Sequence, residues 1–249
     1  MPTNSGLTAQ QISRYHDEGC LIYPFQLFDA SELESLTAIF EEHLAKRGDR
    51  LSDELDTPHF RDDRLLDYLL HDRVLDLVES LIGPDIGLWS SHFISKEPYY
   101  GRRTPWHEDS AYWAGKFDRL DRIVTVWLAI DNSTEENGCM GVIPGTHHNG
   151  FSDYVDVADA GNSTFKREIS GTTFSEEDVK WLVLKRGQCS FHDARIIHGA
   201  QPNTSPDRRA GYTMRYFSLR MKFNPMSAPG HKIWWARGKN FAGNTLLFR

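Results

Sequence analysis

The stretch Ile123-Val124-Thr125-Val126-Trp127-Leu128-Ala129-Ile130-Asp131 is dominated by β-branched and aromatic residues, and this composition predicts a β-strand. Four more segments share it and are separated by glycine and proline clusters: residues 86–95, 140–143, 188–191 and 210–221. Strands this short and this numerous are typical of a double-sheet jelly roll rather than of a parallel sheet. We therefore expect a mainly β fold from residue 86 onward.

Helical patterns precede these strands. We expect three flanking helices: one over residues 9–16, one that starts at a capping box formed by Ser31 and Glu34, and one over residues 73–82. The second helix carries apolar residues at helical spacing, namely Leu33, Leu36, Ile39, Phe40 and Leu44.

Length and composition bound the class of protein. The chain has 249 residues, of which 39% are hydrophobic and 25% charged, so a packed core is feasible and we expect a single domain over residues 1–249. The formal net charge is -7 and no strongly basic block occurs, which argues against a nucleic-acid partner. Cys20, Cys139 and Cys189 are too widely spaced for a disulfide framework or a zinc site, which favours a reducing compartment.

No segment has the composition of a signal peptide or a membrane helix. The first residues are polar, and no apolar run approaches the ~18 residues that a membrane helix needs. We therefore expect a soluble, cytoplasmic protein with no membrane partner, and we leave a homodimer open.

A histidine and an aspartate two residues apart, His107 and Asp109, are followed far downstream by His198. Two imidazoles and one carboxylate on one face of a metal are the ligand set of a mononuclear non-haem iron site. On a strand or at its end, residues two apart point the same way, so His107 and Asp109 can reach one metal. His192, six residues before His198, would share its strand face and stays a rival ligand.

Two adjacent arginines, Arg208 and Arg209, stand just past His198 at the head of the last predicted strand. The planar fork of an arginine matches a carboxylate through two hydrogen bonds. An arginine at this place is therefore suited to hold a dicarboxylate co-substrate beside the metal.

Several short segments accompany these residues in a fixed order: Thr104-Pro105-Trp106-His107-Glu108-Asp109, Val126-Trp127-Leu128-Ala129-Ile130-Asp131, Asn137-Gly138-Cys139-Met140, Ile143-Pro144-Gly145-Thr146-His147 and His198-Gly199-Ala200-Gln201-Pro202-Asn203. In this order the set resembles the phytanoyl-CoA dioxygenase-like (PhyH) family of Fe(II)- and 2-oxoglutarate-dependent oxygenases. The resemblance covers roughly residues 7–221. It implies a double-stranded β-helix (jelly roll, cupin-like) with the N-terminal helices packed on one sheet.

The resemblance also implies roles for single residues. His107, Asp109 and His198 match the metal ligands. Arg209 matches the arginine that binds the distal carboxylate of 2-oxoglutarate, and its spacing from His198 fits better than that of Arg208, which stays open as the alternative.

The co-substrate pocket shows one departure from the family pattern. Trp127 matches an aromatic residue that lines this pocket. The family often has a hydroxyl two residues past the second histidine, where this chain has Ala200. We therefore expect a hydroxyl partner for the co-substrate from Thr125 or Thr213.

The implied cofactors are Fe(II), 2-oxoglutarate as co-substrate and O2. The implied reaction is hydroxylation, or a related oxidation, of an unactivated C–H bond in a small-molecule metabolite, with release of succinate and CO2. Asp109 favours oxygenation, because relatives that halogenate typically lack this carboxylate. Two alternatives stay open: a catalytically silent jelly-roll binding protein, and a cupin-type metal enzyme that does not use 2-oxoglutarate.

Three residues are candidates for the substrate pocket, with core packing as the alternative for each: Tyr112, Trp113 and His92. Residues 149–172 predict a long polar loop of the kind that forms lids or lacks order. The tail over residues 223–249 has no assigned structure, although Trp234-Trp235 is a candidate to close the mouth of the barrel.

Overall fold

The computed structural model describes residues 6–171 and 173–249. Its α-helices are α1 Ala9–Glu18, α2 Ala30–Ala45, α3 Leu66–Leu69, α4 Asp72–Ile82 and α5 Asp109–Trp113. Its strands are β1 Cys20–Tyr23, β2 Leu55–Asp56, β3 Ile86–Lys96, β4 Thr104–His107, β5 Ile123–Ala129, β6 Met140–Val142, β7 Tyr154–Asp156, β8 Arg167–Ile169, β9 Lys180–Trp181, β10 Cys189–Asp193, β11 His198–Ala200, β12 Arg209–Ser218 and β13 Trp234–Arg237. Single turns of 3-10 helix lie at Pro58–Phe60, Asp63–Leu65, Thr146–His148, Ala160–Asn162, Glu176–Asp178 and Pro225–Ser227.

Two antiparallel sheets form the framework. The major sheet has the order β1-β10-β5-β12-β3-β13, with β2 added to β3, and the minor sheet has the order β4-β11-β6-β9. Neighbours in each sheet are mostly distant in sequence, so the chain crosses repeatedly between the sheets. This arrangement confirms the expected jelly roll, a double-stranded β-helix.

Alternate residues of β12 lie on opposite faces of the major sheet, as period-two alternation requires. One set lines the cavity between the sheets: Arg209, Thr213 and Arg215. The other set belongs to the largest apolar cluster: Tyr212, Met214 and Tyr216. That cluster also contains Tyr15 of α1, Phe40 of α2 and Val78 of α4, so the N-terminal helices cover the outer face of the major sheet.

The start of α2 corrects one expectation. The capping box consists of Asp29 and Glu32 rather than Ser31 and Glu34: Glu32 N donates to Asp29 Oδ1 at 2.9 Å, and Asp29 N donates to Glu32 Oε2 at 2.8 Å. An aspartate caps a helix as well as a serine does, and the same spacing occurs two residues earlier in the chain.

Residues beyond the predicted strands are more ordered than their composition indicates. The loop predicted over residues 149–172 contains the β7–β8 hairpin, and its last residue lies outside the described residues. In the tail, β13 pairs with β3. Trp234 is buried in the main cluster, whereas Trp235 is 38% exposed and stacks on Phe248.

All three cysteines are buried and free. Within the described ranges, no helix is long and apolar enough to cross a membrane.

Candidate metal centre and cavity

His107 and His198 meet at the end of the minor sheet. His107 is the last residue of β4 and His198 the first residue of β11, and the two are direct cross-strand partners. Their ring centroids lie 4.1 Å apart, and both side chains are buried. The antiparallel register therefore brings the two histidines together from distant parts of the sequence.

The backbone fixes how each imidazole is protonated. His107 Nδ1 donates to the carbonyl of Pro105 at 2.8 Å, and His198 Nδ1 donates to the carbonyl of Ile196 at 3.0 Å. A carbonyl oxygen only accepts, so the proton sits on Nδ1 and the lone pair on Nε2. This is the usual support for a metal-binding histidine.

Asp109 reaches the histidines by a different route from the one predicted. The strand ends at His107, and Asp109 is the first residue of α5, which Ser110 N anchors by donating to the carbonyl of Ala194 at 2.8 Å. The strand end and the helix start, not strand alternation, point both side chains to one place. One ligand atom from each of His107, Asp109 and His198 lies within 4.8 Å of the others.

The electrostatics of this cluster favour a bound cation. Burial alone would raise the pKa of Asp109, but the guanidinium of Arg215 and the adjacent His107 lower it well below its ordinary value. Burial, together with the neighbouring His107 and His192, lowers the pKa of His198 well below its ordinary value. The carboxylate is therefore charged and the imidazole neutral, as metal coordination requires.

Arg209 and Arg208 occupy different environments. Arg209 is buried in the cavity wall, where its Nε and Nη2 donate to the carbonyl of Gly138 at 3.1 and 2.8 Å. Arg208 instead pairs with Asp131 at 2.8 Å and with Glu41 at 2.8 Å. Only Arg209 of the two lines the cavity.

Trp127 packs beneath Arg209, whose guanidinium carbon lies 5.2 Å from the centre of the indole ring. Gly211 makes this possible, because a Cβ there would lie 2.1 Å from the ring. The two expected hydroxyl residues differ. Thr213 lines the cavity, but its hydroxyl donates to the carbonyl of His92 at 3.2 Å. Thr125 is buried on the same face of β5 as Trp127 but is not among the residues that line the cavity, and its hydroxyl has no hydrogen-bond partner in the described ranges. Its role as a co-substrate residue stays a prediction.

The sheets enclose a cavity of about 530 Å³. It is lined by all three members of the metal cluster and by the three candidate substrate residues Tyr112, Trp113 and His92. His192 also lines it, with Nε2 4.0 Å from Asp109 Oδ2, but its ligand atoms do not join the compact cluster among the described residues. His192 therefore lies next to the metal cluster as a neighbour.

The segment predicted as a loop forms one wall of this cavity. Phe165 packs against His107 at 4.7 Å and against Tyr112 at 5.0 Å between ring centroids. Glu108, buried between the two metal-motif residues, accepts from Ser152 Oγ at 2.6 Å. The hairpin segment is thus tied directly to the metal motif.

Arg215, Trp89 and His231 are among the cavity residues that were not predicted from the sequence. Arg215 lies on the same face of β12 as Arg209 and Thr213, so strand alternation was sufficient to predict it as a cavity residue. The position of Trp89 in the cavity results from an irregularity of β3, and that of His231 results from the fold of the tail. Sequence patterns therefore give no comparable signal for either residue.

The fold and the cluster together define a double-stranded β-helix protein with two histidines and one carboxylate placed so that they could hold a metal ion. The family model of phytanoyl-CoA dioxygenase (PhyH) matches residues 15–211. The chain belongs to the phytanoyl-CoA dioxygenase family, as the resemblance of its motifs predicted.

Three known proteins illustrate the relationship. The chain is 27% identical to human "Phytanoyl-CoA dioxygenase, peroxisomal" over 86% of its own length and 70% of that protein. It is 27% identical to "Probable alpha-ketoglutarate-dependent hypophosphite dioxygenase" of Stutzerimonas stutzeri over 64% of its length and 55% of that protein. The solved structure of the non-heme monooxygenase ThoJ superimposes with a TM-score of 0.78 at 23% identity, covering 96% of this chain and 86% of that one. The chain spans about half the length of most of the curated relatives that it matches.

Proposed function

We propose that the protein is an Fe(II)- and 2-oxoglutarate-dependent dioxygenase that hydroxylates, or otherwise oxidises, a C–H bond of a small-molecule metabolite. The observation that carries this proposal is the convergence of two imidazole Nε2 atoms and one carboxylate on a cavity that also holds the buried Arg209. Family membership supports the same reaction class.

The ligand atoms of the metal cluster suit iron(II). His107 and His198 present Nε2 lone pairs because their Nδ1 protons are held by backbone carbonyls. Asp109 Oδ2 is buried and has no hydrogen-bond partner within the described part of the chain. Arg215 Nε lies 3.6 Å from this oxygen, too far for a hydrogen bond, so a bound cation would stabilise the carboxylate directly.

Arg209 fits the distal carboxylate of 2-oxoglutarate. Burial lowers its pKa to about 10, so it stays charged at neutral pH. Among residues 6–171 and 173–249 no carboxylate lies within 4.0 Å of its guanidinium, and a buried charge without a counterion calls for one from a ligand. Trp127 holds the guanidinium in place from below.

Bound iron and 2-oxoglutarate would activate dioxygen, with decarboxylation of the co-substrate to succinate and CO2. The chain's own residues bind, orient and shield. Arg209 fixes one end of the co-substrate, while Phe165 and Tyr112 cover His107 on the other side and keep water from the centre. Asp109 would supply the carboxylate ligand that halogenating relatives typically lack, which supports oxygenation over halogenation.

The substrate is a small molecule, and the protein resides in the cytoplasm, where a reducing environment suits three buried free cysteines. A homodimer stays a prediction that light scattering of the purified protein can test.

The experiment is turnover of 2-oxoglutarate. Fe(II)-loaded protein, with oxygen and ascorbate, should release succinate from 2-oxoglutarate, and Asp109→Ala should abolish this release. If the wild-type protein binds 2-oxoglutarate but releases no succinate, a catalytically silent binding protein is favoured. Oxygen consumption that does not depend on 2-oxoglutarate would favour a cupin-type metal enzyme.

A further inference from the structure

We propose that the substrate carries a carboxylate, which Arg215 binds together with the indole N–H of Trp89 and the ammonium of Lys116. The proposal rests on the proposed function and adds the chemical class of the substrate: a small apolar, flat carboxylate. The family match ends at residue 211, so Arg215 lies beyond it.

The two cavity arginines stand at opposite ends of one strand face. Arg209 and Arg215 are both on the inner face of β12, and at ~3.3 Å per residue their backbones are roughly 20 Å apart. Arg209 marks the end assigned to 2-oxoglutarate. Arg215 marks the other end, where Nε lies 3.6 Å from Asp109 Oδ2.

A β-bulge turns Trp89 into the same end of the cavity. In the pairing of β12 with β3, Arg215 faces Ser90 and Tyr216 faces Leu88, so Trp89 is the extra residue. A bulge re-aims a side chain, and here Trp89 and Ser90 both line the cavity although they are consecutive. The Trp89 ring is fixed by stacking on His231, with centroids 3.9 Å apart.

Two hydrogen-bond donors at this end lack acceptors. Trp89 is 3% exposed, and its buried Nε1 has no partner in the described ranges. Arg215 Nε is likewise buried without a hydrogen-bond partner there. Buried donors are almost always satisfied, so two unsatisfied donors on one cavity wall indicate a ligand that accepts hydrogen bonds.

The charges of the loaded site favour an anion as that acceptor. Iron(II), Asp109, dianionic 2-oxoglutarate, Arg209 and Arg215 together leave one net positive charge. Lys116 adds another at the edge of the cavity, since no carboxylate among the described residues lies within 4.0 Å of it. Asp56 also borders the cavity but is exposed, so water screens its charge. A single carboxylate on the substrate therefore balances the buried charge.

The nearby acidic residues other than Asp56 are already paired. Asp53 and Glu54 both bind Arg102, at 2.6 and 3.1 Å. They do not compete for Arg215 or Lys116.

The walls beside Arg215 define the rest of the substrate. The guanidinium carbon lies 5.6 Å from the Trp113 ring, and Trp113 meets Trp89 edge to face at 6.2 Å. The cavity of about 530 Å³ must hold both the co-substrate and the substrate. Aromatic walls and limited space favour a small, flat, apolar body next to the carboxylate.

The test compares carboxylates with their uncharged primary amides. Mn(II)-loaded protein is kept anaerobic with saturating 2-oxoglutarate, and calorimetry measures the binding of matched pairs, including phenylacetate with phenylacetamide and octanoate with octanamide. We expect the carboxylate of at least one flat pair to bind about tenfold or more tightly than its amide. The 2-oxoglutarate occupies Arg209, so this preference reports on the other end of the cavity.

Variants locate the preference. Arg215→Gln should abolish it, and Lys116→Met should weaken carboxylate binding about two- to fivefold. Trp89→Phe keeps the ring, removes the N–H and lies outside the metal cluster, so it should weaken carboxylate binding at unchanged Mn(II) affinity. Arg220→Gln is the matched control, because Arg220 pairs with Asp85 outside the cavity, and it should behave as the wild type.

Three results would overturn the inference: equal affinity for carboxylate and amide in every pair, a preference that survives Arg215→Gln, or carboxylate binding that disappears as 2-oxoglutarate saturates. In the last case the carboxylate occupies the Arg209 end. Failure of the proposed function itself is distinct, because then 2-oxoglutarate does not bind the Mn(II)-loaded protein in the first titration.

Discussion

His107 and His198 face each other directly across the β4–β11 pair, with their imidazole centroids 4.1 Å apart. Each presents Nε2 to the cavity because its Nδ1 donates to a carbonyl two residues earlier in the chain. Asp109, at the start of α5, completes the cluster. The candidate metal centre thus depends on the register of one strand pair and the start of one short helix.

The ligand assignment predicts a sharp contrast between neighbouring histidines. His198→Gln should lower Mn(II) affinity by about a hundredfold or more, because it removes one of three ligands and not a residue beside them. His192→Gln is the control, and it should stay within about tenfold of the wild type, as expected for a residue beside the ligands. Calorimetry under argon measures both. Equal losses in the two variants would contradict the assignment.

The adjacent arginines should separate in the same way. Arg209→Gln should weaken 2-oxoglutarate binding by about 2–5 kcal/mol, because it leaves a carboxylate buried without a partner. Arg208→Gln should leave 2-oxoglutarate affinity unchanged and cost at most about 1 kcal/mol of stability, since its ion pairs are partly exposed. Anaerobic titration and chemical denaturation give the two quantities. A larger loss of affinity in Arg208→Gln would reverse the assignment.

Gly211→Ala should damage the co-substrate pocket through Trp127. The added Cβ would lie 2.1 Å from the indole ring, so the ring must move, at a cost of about 1–3 kcal/mol of stability. Displacing the ring also removes the support of Arg209, so 2-oxoglutarate affinity should fall. Gly161→Ala is the control, because its nearest atom is 3.7 Å from the new Cβ. Equal 2-oxoglutarate affinity in both variants would contradict the support of Arg209 by Trp127.

Ser152→Ala should loosen the hairpin segment from the metal motif. It leaves Glu108 buried with a weaker set of donors and should cost about 1–3 kcal/mol. Hydrogen exchange should rise in β7 and β8 relative to the major sheet. Ser31→Ala, at an exposed site on α2, is the matched serine control. Unchanged exchange in the hairpin would show that the Glu108–Ser152 contact does not hold it.

Acid should destabilise the metal-free protein through His59. Burial, with smaller effects from His231 and Lys232, lowers the pKa of His59 to about 3. The unfolded chain then takes up a proton below about pH 6.5 that the folded chain resists, so stability is full above that pH and falls toward pH 3. At pH 5 this is worth about 2 kcal/mol.

His59→Asn tests this pH dependence. Asparagine can keep the hydrogen bond to Ser91 that His59 Nδ1 makes at 2.6 Å. The free energy of unfolding, measured with denaturant between pH 5 and pH 7, should depend less steeply on pH in the variant, by up to one proton. The same slope in both proteins would contradict a buried neutral His59.

The sequence was sufficient for the jelly roll because composition and alternation report directly on strands that are buried on one face or both. The family resemblance pointed to Arg209, and the strand alternation that puts Thr213 on the same face of β12 extends to Arg215. This alternation could not place Asp109, because the chain leaves the strand at His107 and turns into a helix. Alternation could not predict that Trp89 lines the cavity, because a bulge interrupts the alternation at that residue.

An anaerobic spectrum tests directly whether this cavity binds iron and 2-oxoglutarate. When Fe(II) and then 2-oxoglutarate are added to the protein, we predict a weak visible charge-transfer band that saturates near one equivalent of each. Asp109→Ala should not show the band, and Arg209→Gln should require far more 2-oxoglutarate to show it. Folded, iron-loaded wild-type protein that gives no band with excess 2-oxoglutarate would contradict the assignment of this cavity as an iron and 2-oxoglutarate site.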